Sequence, residues 1–355
     1  MEVIGFRLDY SNNIGGGHLK RCLAIANKIS NYDIFFIIKT DCKNIKKTIN
    51  NIGYKCILIN VKFTLSEEIT FLKSFLRKNE LKAIFFDISN QSTYKYLNQI
   101  PYYFNILRKK TENLILLDGM SKDSIIYYIK KLNVKFVVTP YLGAKLVKGP
   151  FVHLFGPNYF ILNLKVSKNF LIKKNKTPKI ASNILVTMGQ SDPYNLSLLT
   201  VEAILPILKL FKTIKIVLIF GPLFSADLKR KIMHKIFLFK IFFKVVDSPA
   251  SMNKYYMWSD LAISSTGLTK YELAFFGVPS ILISSTRENY KLHNIFSGFK
   301  SSVHVGPLPL IKTSTLSKEI IALLNDEQRR NKFIEIGKNL IDGKGADRLL
   351  EKVLN

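Results

Sequence analysis

Cysteine is scarce in this chain of 355 residues: Cys22, Cys42 and Cys56 are its only three. Their spacing fits no metal-ligand pattern, and an odd number argues against a disulfide framework. No apolar run is long enough to cross a bilayer, and Met1-Glu-Val-Ile-Gly5 does not read as a secretory leader, so a cytoplasmic enzyme is expected. Acidic residues are few, 25 against 53 lysines and arginines, for a formal charge of +28. Such a balance invites nucleic acid as a partner. Yet no recognition helix, zinc finger or base-stacking motif is visible, and the lysines are scattered among Ile, Asn and Phe along the whole chain. No nucleic-acid partner is therefore expected, and the basic surface reads as a solvated one that steers anionic substrates. The dinucleotide fingerprint G-x-G-x-x-G and the phosphate loop G-x-x-x-x-G-K-[ST] are also missing, so neither cofactor follows. No metal or cofactor is expected.

Hydrophobic residues make up 48% of the chain, which is globular in composition and long enough for two domains. Apolar strand-like runs alternate with longer amphipathic ones. In the first half the runs are Val3–Leu8, Asp33–Ile38, Cys56–Ile59, Ala83–Asp87, Asn113–Asp118 and Phe136–Thr139, with helices between them such as Leu19–Ser30 and Ile69–Lys78. The rhythm restarts with Asn183–Met188, Lys215–Phe220, Phe243–Val246, Leu261–Ser264 and Ser280–Ser284. Strand-helix alternation predicts parallel sheets covered by helices, an α/β class. The lysine-rich, proline-ended stretch 164–180 reads as a linker between a Rossmann-like domain, 1–163, and a second one, 181–355. The expected architecture is two such domains facing a central cleft. Within the second, Lys229–Val246 interleaves basic and aromatic residues. It is expected to be a helix followed by a buried strand; the alternative is a membrane-surface helix giving weak peripheral contact.

The most informative segment runs from strand Val3–Leu8 through Gly15, Gly16 and Gly17 into a helix, with His18 at the junction. Glycines allow a positive φ and close backbone approach, the helix start favours an anion, and histidine titrates near neutrality. The same pattern also suits a tight connection with His18 as a helix cap. Asp87 and Asp118 stand at strand ends, where they either reach the crevice beyond the sheet or cap the next helix.

Three loops of the second half share this form. Gly189, Ser191, Asp192 and Asn195 lie between a strand and a helix, suited to phosphate contact or to a plain turn. Ser264, Ser265, Thr266 and Gly267 end a buried strand before a helix starting near Thr269, a cradle suited to diphosphate. Glu272 falls in that helix's first turn, facing either a ribose or only the helix dipole. Gly277 and Pro279 close this helix and open a strand leading to Arg287, Glu288 and Asn289, which suit a sugar or a solvated turn.

Taken together, these motifs resemble the nucleotide-sugar hydrolases of pseudaminic acid biosynthesis (PseG) and the related spore-coat polysaccharide proteins (SpsG), within the MurG-like glycosyltransferase-B superfamily. The resemblance rests on Arg7-x-Asp9, Ile14-Gly-Gly-Gly-His18, Arg21-Cys22-Leu23, Gly156-Pro157-x-Tyr159, Ser191-Asp192-Pro193, Ala262-Ile263, Gly267-x-Thr269-x-x-Glu272, Gly277-x-Pro279-Ser280, Glu288-Asn289 and Asp342-Gly-Lys-Gly-Ala-Asp-Arg348. It implies a metal-independent, monomeric enzyme binding a UDP-sugar between two domains. The residue matching His18 is the general base that activates water for inverting attack on the anomeric carbon. Ser265 to Glu272 would hold diphosphate and ribose, and Gly189 to Asp192 would line the cleft. Arg7, Asp9, Gly16, Gly17, Arg21, Asp87, Asp118, Tyr159, Glu288 and Asn289 complete the implied substrate contacts. The chain departs from the family where D-H reads Asp87-Ile88, G-G-S-D reads Gly189-Gln-Ser-Asp192, E-N-Q reads Glu288-Asn289-Tyr290 and paired aspartates read Asp118-Gly119. The function implied is hydrolysis of a UDP-linked diacetamido-trideoxyhexose; the alternative is a glycosyltransferase using a UDP-sugar donor.

Overall fold

The structure is a computed structural model that describes residues 2–10, 16–79, 81–88, 94–109, 111–119, 124–129, 131–163, 176–287, 290–291, 294, 300–308 and 310–354. The chain forms two compact units, Met1–Leu164 with Gly343–Asn355, and Lys165–Asp342.

The first unit is built on a seven-stranded sheet: β1 (Val3–Asp9), β2 (Asp33–Lys39), β3 (Lys55–Ile59), β4 (Leu81–Asp87), β5 (Thr111–Leu117), β6 (Phe136–Thr139) and β7 (Val152–Phe155). Its order is β3-β2-β1-β4-β5-β6-β7, and all neighbours run parallel. Both faces of such a sheet are covered by helices, which is why its central strands read as continuous apolar runs. At its centre Phe6 stacks between Phe36 and Phe85, with ring centroids 5.2 and 4.9 Å away.

The second unit repeats the plan with β8 (Asn183–Thr187), β9 (Lys215–Phe220), β10 (Phe243–Asp247), β11 (Leu261–Ser265), β12 (Ser280–Ile283) and β13 (Val303–Val305), in the order β10-β9-β8-β11-β12-β13. The strands expected from apolar runs all form, with ends moved by a residue or two. The short edge strands β7 and β13 add to them; four and three residues are too few to carry a pattern. In each sheet the connection reverses direction once, between β1 and β4 and between β8 and β11. Ligands of doubly wound sheets bind beyond the carboxyl ends of the strands at such a reversal.

Two expectations are corrected. Residues 343–355 do not stay with the second domain. Helix Gly345–Leu354 buries Ala346, Leu349 and Val353 in the first unit's core, Lys28 holds Asp347 at 2.9 Å, and Arg348 donates to the carbonyl of Asn158 at 2.9 Å. Gly345 is required there, since a Cβ would stand 2.2 Å from the Phe160 carbonyl oxygen. And β10, expected to be buried, is the edge strand of its sheet and only half-covered. Most of the expected linker lies outside the described residues; its end, Thr177 to Lys179, is fastened to the second unit by the fully buried Arg330, which donates to the Thr177 hydroxyl and to the Pro178 and Lys179 carbonyls.

Candidate functional site

In the first unit, helix Gly17–Ala26 starts beyond the carboxyl end of β1, at the reversal. Gly16 takes φ −90° and Gly17 is already helical, so neither uses the positive φ expected of them; Gly15 lies outside the described residues. No side chain caps this helix and no acidic residue occupies its first turn. Its positive dipole end is therefore answered by no carboxylate of its own.

One face of this helix meets the end of β4. His18 Nδ1 lies 2.5 Å from Asp87 Oδ1, Arg21 donates through Nε and Nη2 to Asp87 at 2.8 and 2.5 Å, and Cys22 Sγ approaches at 3.7 Å. Positions 18, 21 and 22 are the i, i+3, i+4 set that shares a helix face. Arg21 also donates to the Tyr141 hydroxyl at 2.5 Å. Burial pushes the Asp87 carboxyl up, but the Arg21 guanidinium and the His18 ring outweigh it and hold it well below the usual carboxylate range. An ionised Asp87 makes His18 Nδ1 the donor of their hydrogen bond. The neutral ring then carries its lone pair on Nε2. The His18 side chain keeps 22% of its surface exposed, whereas that of Asp87 keeps none. Asp87 was expected to touch substrate or cap a helix. Both its oxygens are engaged by side chains of this helix face, His18, Arg21 and Cys22.

Other expected contacts turn inward. Arg7 donates to Glu68 and to Asp9, each at 2.7 Å, and Glu68 also accepts from Tyr103 at 2.9 Å and Lys39 at 3.1 Å. All three charged groups of the Arg7–Asp9–Glu68 set are buried, so they pair with one another inside the unit. Asp118 caps a helix: it accepts from the backbone N–H of Ile125 at 2.7 Å and Ile126 at 3.2 Å, and from the Ser124 hydroxyl at 2.6 Å. Burial raises its pKa to about 6 despite those bonds. Tyr159 is half-buried against the first unit's core.

In the second unit, the loop after β8 holds Gly189 at φ +83°, a left-handed conformation suited to glycine. Asp192 accepts from the N–H groups of Leu196 and Ser197, both at 2.8 Å, and so caps the next helix, while Ser191 is exposed. The Ser265 hydroxyl at the end of β11 donates to the Met188 carbonyl at 3.3 Å, tying the two loops across the reversal. Gly267 is exposed, and Thr269 and Glu272 are half-buried at the start of helix Thr269–Phe276. Tyr256 donates to Glu272 Oε2 at 2.5 Å. Glu288 and Asn289 lie outside the described residues.

Some contributors carried no readable signal. Gly221 follows an ordinary strand, yet a Cβ there would stand 2.3 Å from the carbonyl oxygens of both Gly189 and Gln190, so only glycine lets that loop seat. Lys270 is buried and donates to the Thr266 carbonyl at 3.1 Å; burial lowers its pKa to about 7. His304, on β13, shares a 2.7 Å hydrogen bond with Ser284, and burial, then the Lys270 charge, brings its pKa down to about 4. A lone lysine or histidine in a lysine-rich text does not stand out. Among the described residues no group of His, Cys, Asp and Glu is arranged to hold a metal ion, and no helix is long and apolar enough to cross a membrane.

In overall fold the chain is similar to MurG of Acinetobacter baumannii, with a TM-score of 0.68, 12% identity and 99% of each chain covered. The fold is the two-domain, MurG-like glycosyltransferase-B fold. UDP-GlcNAc 2-epimerase of Neisseria meningitidis, solved bound to UDP-GlcNAc, aligns with a TM-score of 0.63 at 11% identity over 99% of this chain and 100% of its own. In sequence, the uncharacterized protein MJ1062 of Methanocaldococcus jannaschii is 27% identical over 84% of this chain and 59% of its own length. The spore coat polysaccharide biosynthesis protein SpsG of Bacillus subtilis is 24% identical over 55% of this chain and 56% of its own. The alignments thus span under two thirds of the length of either relative. No family model matches the chain.

Proposed function

We propose that this chain is an enzyme acting on a UDP-sugar, and that it hydrolyses a UDP-linked diacetamido-trideoxyhexose with His18 as general base. The observation that carries this reading is the 2.5 Å contact between His18 and the buried Asp87. A base held in one tautomer by a buried carboxylate, with its other nitrogen at a partly exposed face, has the geometry of proton abstraction. In the reaction, His18 Nε2 takes a proton from water as the water oxygen bonds to the anomeric carbon. The bond from that carbon to the phosphate oxygen breaks, and its electron pair leaves with UDP. Attack opposite the leaving group inverts the anomeric centre. The helix start after Gly267 and the loop from Gly189 would hold the diphosphate as its charge develops, and Glu272 would take the ribose hydroxyls. The fold, the weak likeness to SpsG and the UDP-GlcNAc bound in the neisserial epimerase support a UDP-sugar as substrate.

The test is incubation with UDP-2,4-diacetamido-2,4,6-trideoxyhexose without an acceptor. UDP release that disappears in His18→Ala is expected; release unchanged in that variant removes His18 from the role. A second reading, transfer to an acceptor, is favoured by Ile88 standing where the hydrolases have histidine. Under it, UDP would appear only when an acceptor is added.

A further inference from the structure

We propose that the edge of the second unit's sheet, around Phe237, Leu238 and Ile241, docks on the surface of an anionic phospholipid bilayer. The segment between helix Ala226–Ile236 and β10 is a 3-10 turn, Phe237–Phe242. Its period of three cannot bury every apolar side chain of Phe-Leu-Phe-Lys-Ile-Phe on one face. Phe237, Leu238 and Ile241 are left 66%, 85% and 88% exposed, and Met233 one turn earlier stands out as well. Isolated exposed leucines need no explanation, but four large apolar residues on two successive turns do.

The surrounding charge selects the occupant. Lys229, Arg230, Lys231 and Lys235 are held by Asp247, Asp227 and Glu202. Lys215, Lys240, Lys244 and Lys254 are exposed and make no ion pair among the described residues. Three of these, Lys215, Lys244 and Lys254, ring a cavity of about 440 Å³ whose apolar wall includes Phe242, Tyr255 and Trp258. Ile241 belongs both to that wall and to the protruding group, so cavity and patch are continuous. Projecting aliphatic and aromatic tips beside lysines that no described carboxylate holds match an interface of acyl chains beneath phosphate headgroups. A two-fold contact with a second copy would set the same lysines against one another. The cavity lies at the amino ends of β9 and β10, the opposite end of the sheet from the loops at Gly189 and Ser265. Docking there leaves those loops uncovered, and the inference does not depend on which UDP-sugar reaction is catalysed.

Trp258 is the only tryptophan in the chain, so its fluorescence reports on this cavity alone. The full chain is mixed with vesicles of phosphatidylglycerol and phosphatidylcholine, or of phosphatidylcholine alone. Co-sedimentation with the anionic vesicles, a blue shift of Trp258 and release by rising salt are expected. Leu238→Glu combined with Ile241→Glu alters two largely exposed positions and should weaken vesicle partitioning at least about tenfold with an unchanged thermal midpoint. Lys244→Ala combined with Lys254→Ala should weaken binding to the anionic vesicles and flatten its dependence on salt. No co-sedimentation, equal binding to neutral vesicles, or binding untouched by the Leu238/Ile241 change overturns the proposal. So does a dimer, or retention on RNA, that this change abolishes while vesicles remain unbound.

Discussion

His18 and Asp87, 69 residues apart in sequence, meet at 2.5 Å because β1 and β4 are neighbours at the reversal of the first sheet. Asp87 ends β4 level with Leu8 on β1, and the helix that leaves β1 lays His18, Arg21 and Cys22 over its carboxylate. Asp87→Asn would keep the shape but lose the charge that sets the His18 tautomer. UDP release is expected to fall roughly a hundred- to ten-thousandfold in kcat with KM little changed. Steady-state kinetics of the variant check this, and a kcat within twofold of the parent would rule out an orienting role.

The buried Glu68 carries a pH signature. Burial raises its pKa, but Arg7 and Lys39 bring it from 4.5 down to about 2. A carboxylate with a depressed folded-state pKa stabilises the fold above its unfolded value, and that contribution is lost as pH falls from about 4.5 towards 2. The loss should reach about 3 kcal/mol. Urea unfolding at intervals between pH 5 and 3 should show the decline, and Glu68→Gln should flatten it while lowering stability at pH 7.

Lys270 works in the opposite direction. Burial lowers its pKa from 10.5 to about 7, so the unfolded chain holds the proton more tightly than the folded one. Stability is expected to rise with pH between about 7 and 10.5. Lys270→Met keeps the volume and removes the titration. Denaturant midpoints at pH 7 and 9 should differ less in the variant than in the parent; an equal difference would assign the effect elsewhere.

The family-like run Asp342 to Arg348 serves packing. Gly343 sits at φ +84°, Gly345 lies against the Phe160 and Tyr159 backbone, and Ala346 is buried. Gly345→Ala should destabilise the protein by about 1–3 kcal/mol, the usual range for overpacking. Its C-terminal helix should also become a preferred site of proteolysis. Limited digestion followed by mass measurement checks the second outcome, and a digestion pattern like the parent's would show that the helix tolerates the methyl group.

Local pattern was enough for the α/β class, the strands with apolar runs, the restart of the rhythm in the second half and the glycine loops. These follow from periodicity and from turn residues, which act within a few positions of one another. What Asp87 does was open, because strand-end aspartates that cap a helix and those that orient a base look alike until their neighbours in space are known. The same holds for Arg7 and Asp9, whose partner Glu68 comes from a helix 61 residues away from Arg7.

The amino-acid sequence alone determined the elements of this protein and the loops on which its chemistry would sit, since each depends on local propensity and hydrophobic spacing. Tertiary structure alone decided which charges meet. Strand order brought Asp87 beneath His18, buried Arg7 with Glu68, returned the C-terminal helix to the first unit, and left Phe237, Leu238 and Ile241 exposed at a sheet edge. The physical reason is that burial and ion pairing depend on neighbours across the sheet, and the order of strands in a sheet is written in no short stretch of sequence.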